Sequence, residues 1–321
     1  MDIVCLGELL VDMFPAEVGR RLVEVSAFRP KPGGAPANVA VAAARLGRQA
    51  AFIGKVGEDA FGHYLCDVLQ QEGVTTRGVR FDAEARTTMA FIAMPDERQA
   101  EFVFYRNPGA DTRLRPEELD AGLLGQARAA HFGSLSLTDE PSRSATFEAM
   151  RLAREGGALV SFDANYRPSL WPSEEAAREQ IIAGARRADL IKVNEVECAL
   201  LTGSDDPDTA GRRLLELGPE LCVITLGQRG SYYRLAEGGE HMPAFAVQAV
   251  DATGCGDAFV AGLLSQLTAS GERRAALSAD RLRPALRYAS ATSALTALTQ
   301  GVIPALPRAA QVDQFLAEHD R

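Results

Sequence analysis

The chain has 321 residues, of which 46% are hydrophobic and 24% charged, with a formal net charge of −9 and a pI of about 5.1. This acidic balance excludes general binding to nucleic acid or to an anionic membrane, yet leaves room for an anionic nucleotide held by a local positive field. Five cysteines without a C-x-x-C pair, and four isolated histidines, exclude a disulfide framework and a zinc cluster, and fit a reducing cytoplasm.

The N-terminus, Met1-Asp2-Ile3-Val4-Cys5-Leu6-Gly7-Glu8, carries two acids and no basic region, so it reads as a strand rather than a signal peptide. No apolar run approaches the roughly 18 residues of a membrane helix. Strands are predicted at 3–6, 51–56, 129–132, 158–163, 190–193 and 221–226, where short apolar runs are mostly rich in Val, Ile or Phe. Helices are predicted between them at 36–46, 59–71, 141–154, 173–187 and 208–217. Continuous apolar strands separated by helices imply a mostly parallel sheet covered on both faces. Residues 87–94 and 101–105 flank the polar turn 95–99 and read as a hairpin; 9–14 and 21–25 read as a second strand pair. Neither pair has a crossover helix, so a small antiparallel appendage is expected, either surface decoration or a lid that excludes water from a cleft. The last third holds two long Ala- and Leu-rich helical patterns, 256–267 and 281–299, expected to pack on each other and on the sheet. No linker divides the chain, so 1–321 is expected to form one α/β domain, with lid segments at about 9–27 and 86–106.

The segment Asp251-Ala252-Thr253-Gly254-Cys255-Gly256-Asp257 carries the most chemistry. Two glycines directly before a helical run can turn the chain and leave N–H groups pointing outward. With the positive end of the helix they form an anion hole fit for phosphate. Asp257 stands at the mouth of that hole, where it would repel a phosphate. Two explanations are open: it caps the helix, or it takes the proton from an attacking hydroxyl, as phosphoryl transfer requires.

The segment resembles the C-terminal signature of the ribokinase-like (PfkB) carbohydrate kinases, Asp-Thr-x-Gly-Ala-Gly-Asp, with Ala252 in place of Thr and Cys255 in place of Ala. The resemblance implies a mostly parallel sheet flanked by helices with a small β lid. It also implies that Asp257 is the base and that the Gly254-Cys255-Gly256 backbone stabilises the transferring phosphoryl group. Gly33-Gly34-Ala35-Pro36-Ala37-Asn38 resembles the family's sugar-binding Gly-Gly-x-x-x-Asn, and Asp12 stands where members bind two sugar hydroxyls. Gly54-Lys55-Val56-Gly57-Glu58-Asp59 continues the N-terminal signature. Asn194-Glu195-Val196-Glu197 resembles the Asn-x-x-Glu motif that organises magnesium and phosphates, which implies Mg²⁺ near Glu197 through water. Taken alone, the same four residues read as an Asn-capped helix with a solvated acid.

The loop Thr225-Leu226-Gly227-Gln228-Arg229-Gly230 resembles the nucleotide-side loop. Gly301 matches the glycine of the terminal adenine loop, and Ser290 stands where members often have Asn. Asp251, Thr253 and the loop at Gly301 correspond to a site for a potassium-type cation. ATP, Mg²⁺ and K⁺ are therefore the implied cofactors.

Tyr105-Arg106-Asn107-Pro108-Gly109 and Phe162-Asp163-Ala164-Asn165-Tyr166-Arg167 resemble fructokinases, a branch of that family. On this reading Asn165 lines the sugar, Arg106 forks onto substrate oxygens and Arg167 meets the phosphate. The alternative substrate is 2-keto-3-deoxygluconate. A catalytically inactive binding regulator would be expected to lack the base or the glycines, and all are present. Members often dimerise through the lid, so the partners expected are a sugar, ATP and a second copy of the chain.

Overall fold

A computed structural model describes residues 1–17, 19–93, 101–271 and 277–319. The chain begins with β1 (Ile3–Leu6), leaves the main sheet for β2 (Leu10–Pro15) and β3 (Phe28–Gly33), and returns through α1 (Ala35–Arg45) to β4 (Ala50–Gly57), α2 (Ala60–Gln71) and β5 (Thr75–Asp82). A second excursion makes β6 (Met89–Ala93) and β7 (Glu101–Tyr105). Then α3 (Ala121–Gln126), β8 (Ala129–Gly133), α4 (Ser142–Glu155), β9 (Leu159–Asp163), α5 (Glu174–Ala185), β10 (Leu190–Asn194), α6 (Glu195–Thr202), α7 (Pro207–Leu215) and β11 (Leu221–Thr225) alternate. The edge strands β12 (Ser231–Arg234) and β13 (Gly239–Met242) precede α8 (Cys255–Leu267), α9 (Ala279–Thr296) and α10 (Ala309–His319).

The nine-stranded sheet has the order β13-β12-β11-β10-β9-β8-β1-β4-β5. It is parallel except where β12 and β13 add antiparallel strands at one edge. Successive residues of β1 serve opposite faces: Ile3 and Cys5 join the core beneath α1, α8 and α9, whereas Val4 and Leu6 join the core beneath α4 and α5. Both faces are covered, which is why most of the parallel strands read as largely apolar runs, with the lysines Lys55 and Lys192 buried against acids. The chain travels from β1 toward β5 on one side and from β8 toward β11 on the other, so the order reverses between β1 and β8. Open parallel sheets bind ligands at that crevice, beyond the carboxyl ends of the strands.

The core under α8 depends on small residues. A Cβ at Gly262 would lie 2.8 Å from Ala289 Cα, so α8 and α9 approach too closely for any larger side chain there. Ala40, Ala42 and Ala43 of α1 are wholly buried in the same core. A cavity of about 320 Å³ lined by Asp2, Gln49 and Arg128 opens at the amino ends of β1 and β4, the end opposite the crevice.

The appendage is a four-stranded sheet of order β3-β2-β6-β7. Its two outer pairings are antiparallel, and the central one, Val11 beside Met89, is parallel. The expected β6–β7 hairpin forms, and its turn at 95–99 lies outside the described residues. The partner of β2 differs from expectation. It is Phe28–Gly33, whereas Leu22–Glu24 within the expected strand is a single 3-10 turn. Val23 is 83% exposed, so the expected segment has no core face to bury. Pro30 and Pro32 had hidden β3, but it is an edge strand, and alternate residues of an edge strand need no N–H partner. The strands β5, β12 and β13 and the helices α3 and α10 were not predicted; β12 is only four residues long and half polar.

Candidate active site

Four segments converge on the crevice. The first is the start of α8. Gly254 is its N-cap in the left-handed region, with φ of 78°. A Cβ there would strike Val302 at 2.3 Å, and one on Gly256 would lie 3.2 Å from Lys192 Nζ. The turn is thus held between the terminal loop and a lysine ammonium, and only glycine fits its first position. The Cys255 N–H closes the turn on the Ala252 carbonyl at 3.3 Å, and the next N–H groups are the first-turn donors that a helix leaves free for an anion.

Asp257 does not cap its own helix. It accepts a hydrogen bond from Asn38 Nδ2 at 2.8 Å, across 219 residues of sequence. Its carboxyl is pushed up to about 6, first by burial and then by the charge of Asp163; the Asn38 bond, Lys192 and Arg167 pull the other way. Asp12, on β2, is 9% exposed. It is pushed up to about 7, first by burial and then by the negative charge of Asp257, against Arg167. The structure therefore brings Asp12, Asp257, Asn38 and Arg167 within electrostatic reach of one another. Gly33 makes this possible: a Cβ there would sit 2.0 Å from Asp12 Oδ2. Gly34 is the N-cap of α1 with φ of 108°. Asn38 Oδ1 is buried and has no partner.

The third segment follows β9. Asp163 Oδ1 accepts the Asn165 N–H at 3.0 Å, and Asn165 takes a positive φ of 35°, turning the chain so that Arg167 faces the acids. Arg167 Nη1 meets the Tyr166 carbonyl at 3.1 Å, and the residue is half-buried. Beside this turn lies an ion pair absent from the sequence reading: Lys192 Nζ stands 3.1 Å from Asp163 Oδ2, both side chains buried. The signal was available, since a lysine inside an apolar parallel strand is rarely buried unless paired. Asn194 and Glu197 do come together, as a capping box. Glu197 accepts the Asn194 N–H at 2.7 Å and the Tyr166 N–H at 2.8 Å, and Asn194 Oδ1 accepts the Glu197 N–H at 2.9 Å. Glu197 is only 1% exposed, so the acid is buried rather than solvated. Burial raises its carboxyl, against the charge of Lys192.

The fourth segment is the terminal loop. Asp251 accepts from Thr253 N–H at 2.9 Å, Thr253 Oγ1 at 2.6 Å and Gly301 N–H at 2.9 Å, so these three residues meet. Farther along the sheet edge, Thr225 Oγ1 reaches the Val193 carbonyl at 3.3 Å. Gly227 and Gly230 bound a 3-10 turn, both with positive φ. Gly230 has a structural reason as well: its Cβ would fall 2.1 Å from the Met242 carbonyl oxygen. Ser290 is buried within α9.

Arg106 departs from expectation. Its fork is committed inside the protein: Nε to Asp111 at 2.7 Å, Nη1 to Thr138 Oγ1 at 2.7 Å and Nη2 to the Leu135 carbonyl at 2.8 Å. It is 6% exposed and ties the lid exit to the main sheet. The buried acid Asp111 five residues on is the partner that the sequence reading had not assigned to it.

Residues 1–309 match the pfkB family carbohydrate kinase description. The chain belongs to this family. Among its relatives is the probable fructokinase-2 of Arabidopsis thaliana, 45% identical over 98% of this chain and 95% of the relative. The fold superposes on a crystal structure of fructokinase with bound ATP from Xylella fastidiosa at a TM-score of 0.91, with 34% identity, covering 100% of this chain and 99% of that one. A Vibrio cholerae fructokinase with fructose, ADP and calcium gives a TM-score of 0.88 and 31% identity over 98% of each chain. The nine-stranded sheet with its lid is thus the family's fold, and the chain is an ATP-dependent carbohydrate kinase. Among the described residues no group of three or more His, Cys, Asp or Glu side chains is arranged to hold a metal, and no helix is long and apolar enough to cross a membrane.

Proposed function

We propose that the protein transfers the γ-phosphoryl group of ATP to a hydroxyl of fructose, with Asp257 as the general base. One observation carries the mechanism. Asp257 stands beside the helix terminus that attracts phosphate, yet its carboxylate turns to Asn38 and the Asp12 side of the crevice. A half-buried carboxyl raised to about 6 accepts a proton better than an ordinary aspartate and is still ionised at neutral pH. Asp12, with Gly33 beneath it, offers two acceptor oxygens to adjacent sugar hydroxyls. The unpartnered Asn38 Oδ1 adds a third acceptor, and Asn165 lies at the same turn as Arg167. The N–H groups at Gly256 and the Arg167 guanidinium face the developing charge. Fructose is favoured by the relatives named above.

The donor set fits the implied ions. Each Glu197 oxygen accepts one N–H and keeps a second lone pair for a metal-bound water, and an Mg²⁺ carried on nucleotide phosphates needs no more from the protein. That ion would neutralise phosphate charge. The Asp251 carboxylate and Thr253 Oγ1, gathered beside the Gly301 loop, are the oxygens that would be offered to K⁺. Thr225, Gly227 and the loop at Gly301 border the nucleotide side, with Asn194 beside the phosphates. Five free cysteines accord with a reducing compartment.

A panel of fructose, ribose and 2-keto-3-deoxygluconate with ATP and Mg²⁺, followed by ADP release, tests the substrate. Fructose is expected to give the highest kcat/KM; a higher value for another member of the panel would reassign it, and no ADP with any sugar would mark a binding regulator. The pH profile tests the base. Since Asp257 works ionised and its carboxyl in the ligand-free protein is raised to about 6, with the sugar-side Asp12 raised to about 7, kcat/KM is expected to fall as the pH drops through that range, by about tenfold per unit or more well below it. A rate unchanged down to pH 4.5 would exclude this carboxylate.

A further inference from the structure

One buried titratable group has no task in the reading above. Glu8 follows β1 and is 2% exposed. Its Oε1 accepts the Ala35 N–H at 2.9 Å, while its Oε2 is buried without a partner. Ala35 opens α1, and that helix has no local means of capping its first turn. The N-cap, Gly34, lacks a side chain, and Pro36 lacks an N–H. Gly34 cannot be exchanged for a capping residue, because its Cβ would fall 2.3 Å from the Glu8 carbonyl oxygen. Gly7 is packed as closely, its Cβ position lying 2.5 Å from Pro36 Cγ. Residues 7–9 therefore form the floor on which α1 starts, and Glu8 supplies the side-chain oxygen that accepts the helix's first N–H; burial pushes its carboxyl up to about 7, so the acceptor rather than a full negative charge is what the helix terminus uses.

That first turn carries Asn38. Its Nδ2 bonds to Asp257 and its Oδ1 has no partner, so no second hydrogen bond fixes the amide. The aim of Asn38 at the base is set by where the helix turn sits, and reactive geometry is sensitive to displacements of about 1 Å. The charges nearest Glu8 are Arg106 and Asp111. Arg106 spends its hydrogen bonds on Asp111, Thr138 and Leu135, so none of them holds the Glu8 carboxyl in place.

We propose that Glu8 is a positioning residue for phosphoryl transfer: by capping α1 from outside the helix, it fixes the turn from which Asn38 holds Asp257 toward the attacking hydroxyl. The proposal rests on Asp257 being the base, and its test is separable from that assignment. Glu8→Gln keeps an acceptor at the same reach without the charge; Glu8→Asp keeps the charge but falls about 1.5 Å short. Steady-state kinetics should give kcat within about threefold of wild type for Glu8→Gln, and a loss of about tenfold or more for Glu8→Asp with KM for ATP unchanged. In an Asn38→Ala background, Glu8→Asp should cause no further loss. The proposal is overturned if Glu8→Gln is the slower variant, if Glu8→Asp turns over like wild type, or if the losses multiply in the double variant. Should Glu8→Asp fail to fold, Glu8→Gln decides alone: a kcat below about a tenth of wild type with an unchanged urea midpoint rejects the role. Near-normal turnover of Asp257→Asn would instead remove the base and leave the Glu8 kinetics to be explained afresh.

Discussion

Asp257→Asn is expected to lower kcat by about 10³-fold while leaving the affinity for a non-hydrolysable ATP analogue within about threefold. The substitution is isosteric. The amide oxygen that replaces Oδ2 still accepts the Asn38 bond, so the geometry of α8 and its N–H groups is retained and only the proton acceptor is lost. A base of this kind contributes about 10²–10⁴ in rate, and the phosphate-binding turn contributes separately. The variant should also fold at least as firmly as wild type at neutral pH. The fold raises the Asp257 carboxyl, so its ionised form is disfavoured in the native state relative to the unfolded chain at any pH above the ordinary carboxylate range. Removing that charge also relieves Asp12, whose carboxyl Asp257 pushes up. A coupled assay for ADP, analogue titration and a urea midpoint check the three expectations. Turnover within tenfold of wild type would return Asp257 to a structural role.

The parts of this site visible from sequence are those in which local backbone demands coincide with chemistry. Gly254 and Gly256 precede a helical run, and the same lack of Cβ that permits the tight turn exposes the amides. Asp257 could be singled out because a carboxylate beside an anion hole conflicts with its surroundings unless it has work. Asn38 and Asp12 were attributed to the sugar; that Asn38 also grips Asp257 across 219 residues is a tertiary fact that no periodicity reports. Most strands of the parallel sheet were legible because burial on both faces leaves them largely apolar; the edge strand β5, mostly polar and only partly buried, was not. The lid was less legible too, since β3 alternates prolines with charges and owes its place to β2 rather than to its own propensity. Arg106 and Glu8 show a further limit. A sequence reveals that a charged residue exists but not which way it faces, and both turn into the protein to join its pieces. Lys192 illustrates the same limit within a strand.

Lys192→Met is expected to destabilise the protein by about 3–5 kcal/mol, the cost of leaving one member of a buried ion pair without its partner. The two side chains fill similar space, so cavity formation adds little, and the loss arises from Asp163. That carboxylate, at 3% residue exposure, would retain only the Asn165 N–H among the hydrogen bonds that now hold it, with Lys192 Nζ gone from 3.1 and 3.3 Å. Glu197 would be affected too, because the lysine charge opposes the burial that raises its carboxyl. One substitution thus unbalances two buried acids beside the α8 turn. The diagnostic step is a second change: Lys192→Met with Asp163→Asn removes both charges, keeps an acceptor for the Asn165 N–H, and should recover most of the lost stability, since a neutralised pair costs far less than a broken one. Urea midpoints for the two single variants and the double variant measure the coupling. A Lys192→Met protein within about 1 kcal/mol of wild type would mean that solvent or the neighbouring backbone already carries the Asp163 charge, and that the lysine is held beside Gly256 for the ligand rather than for the fold.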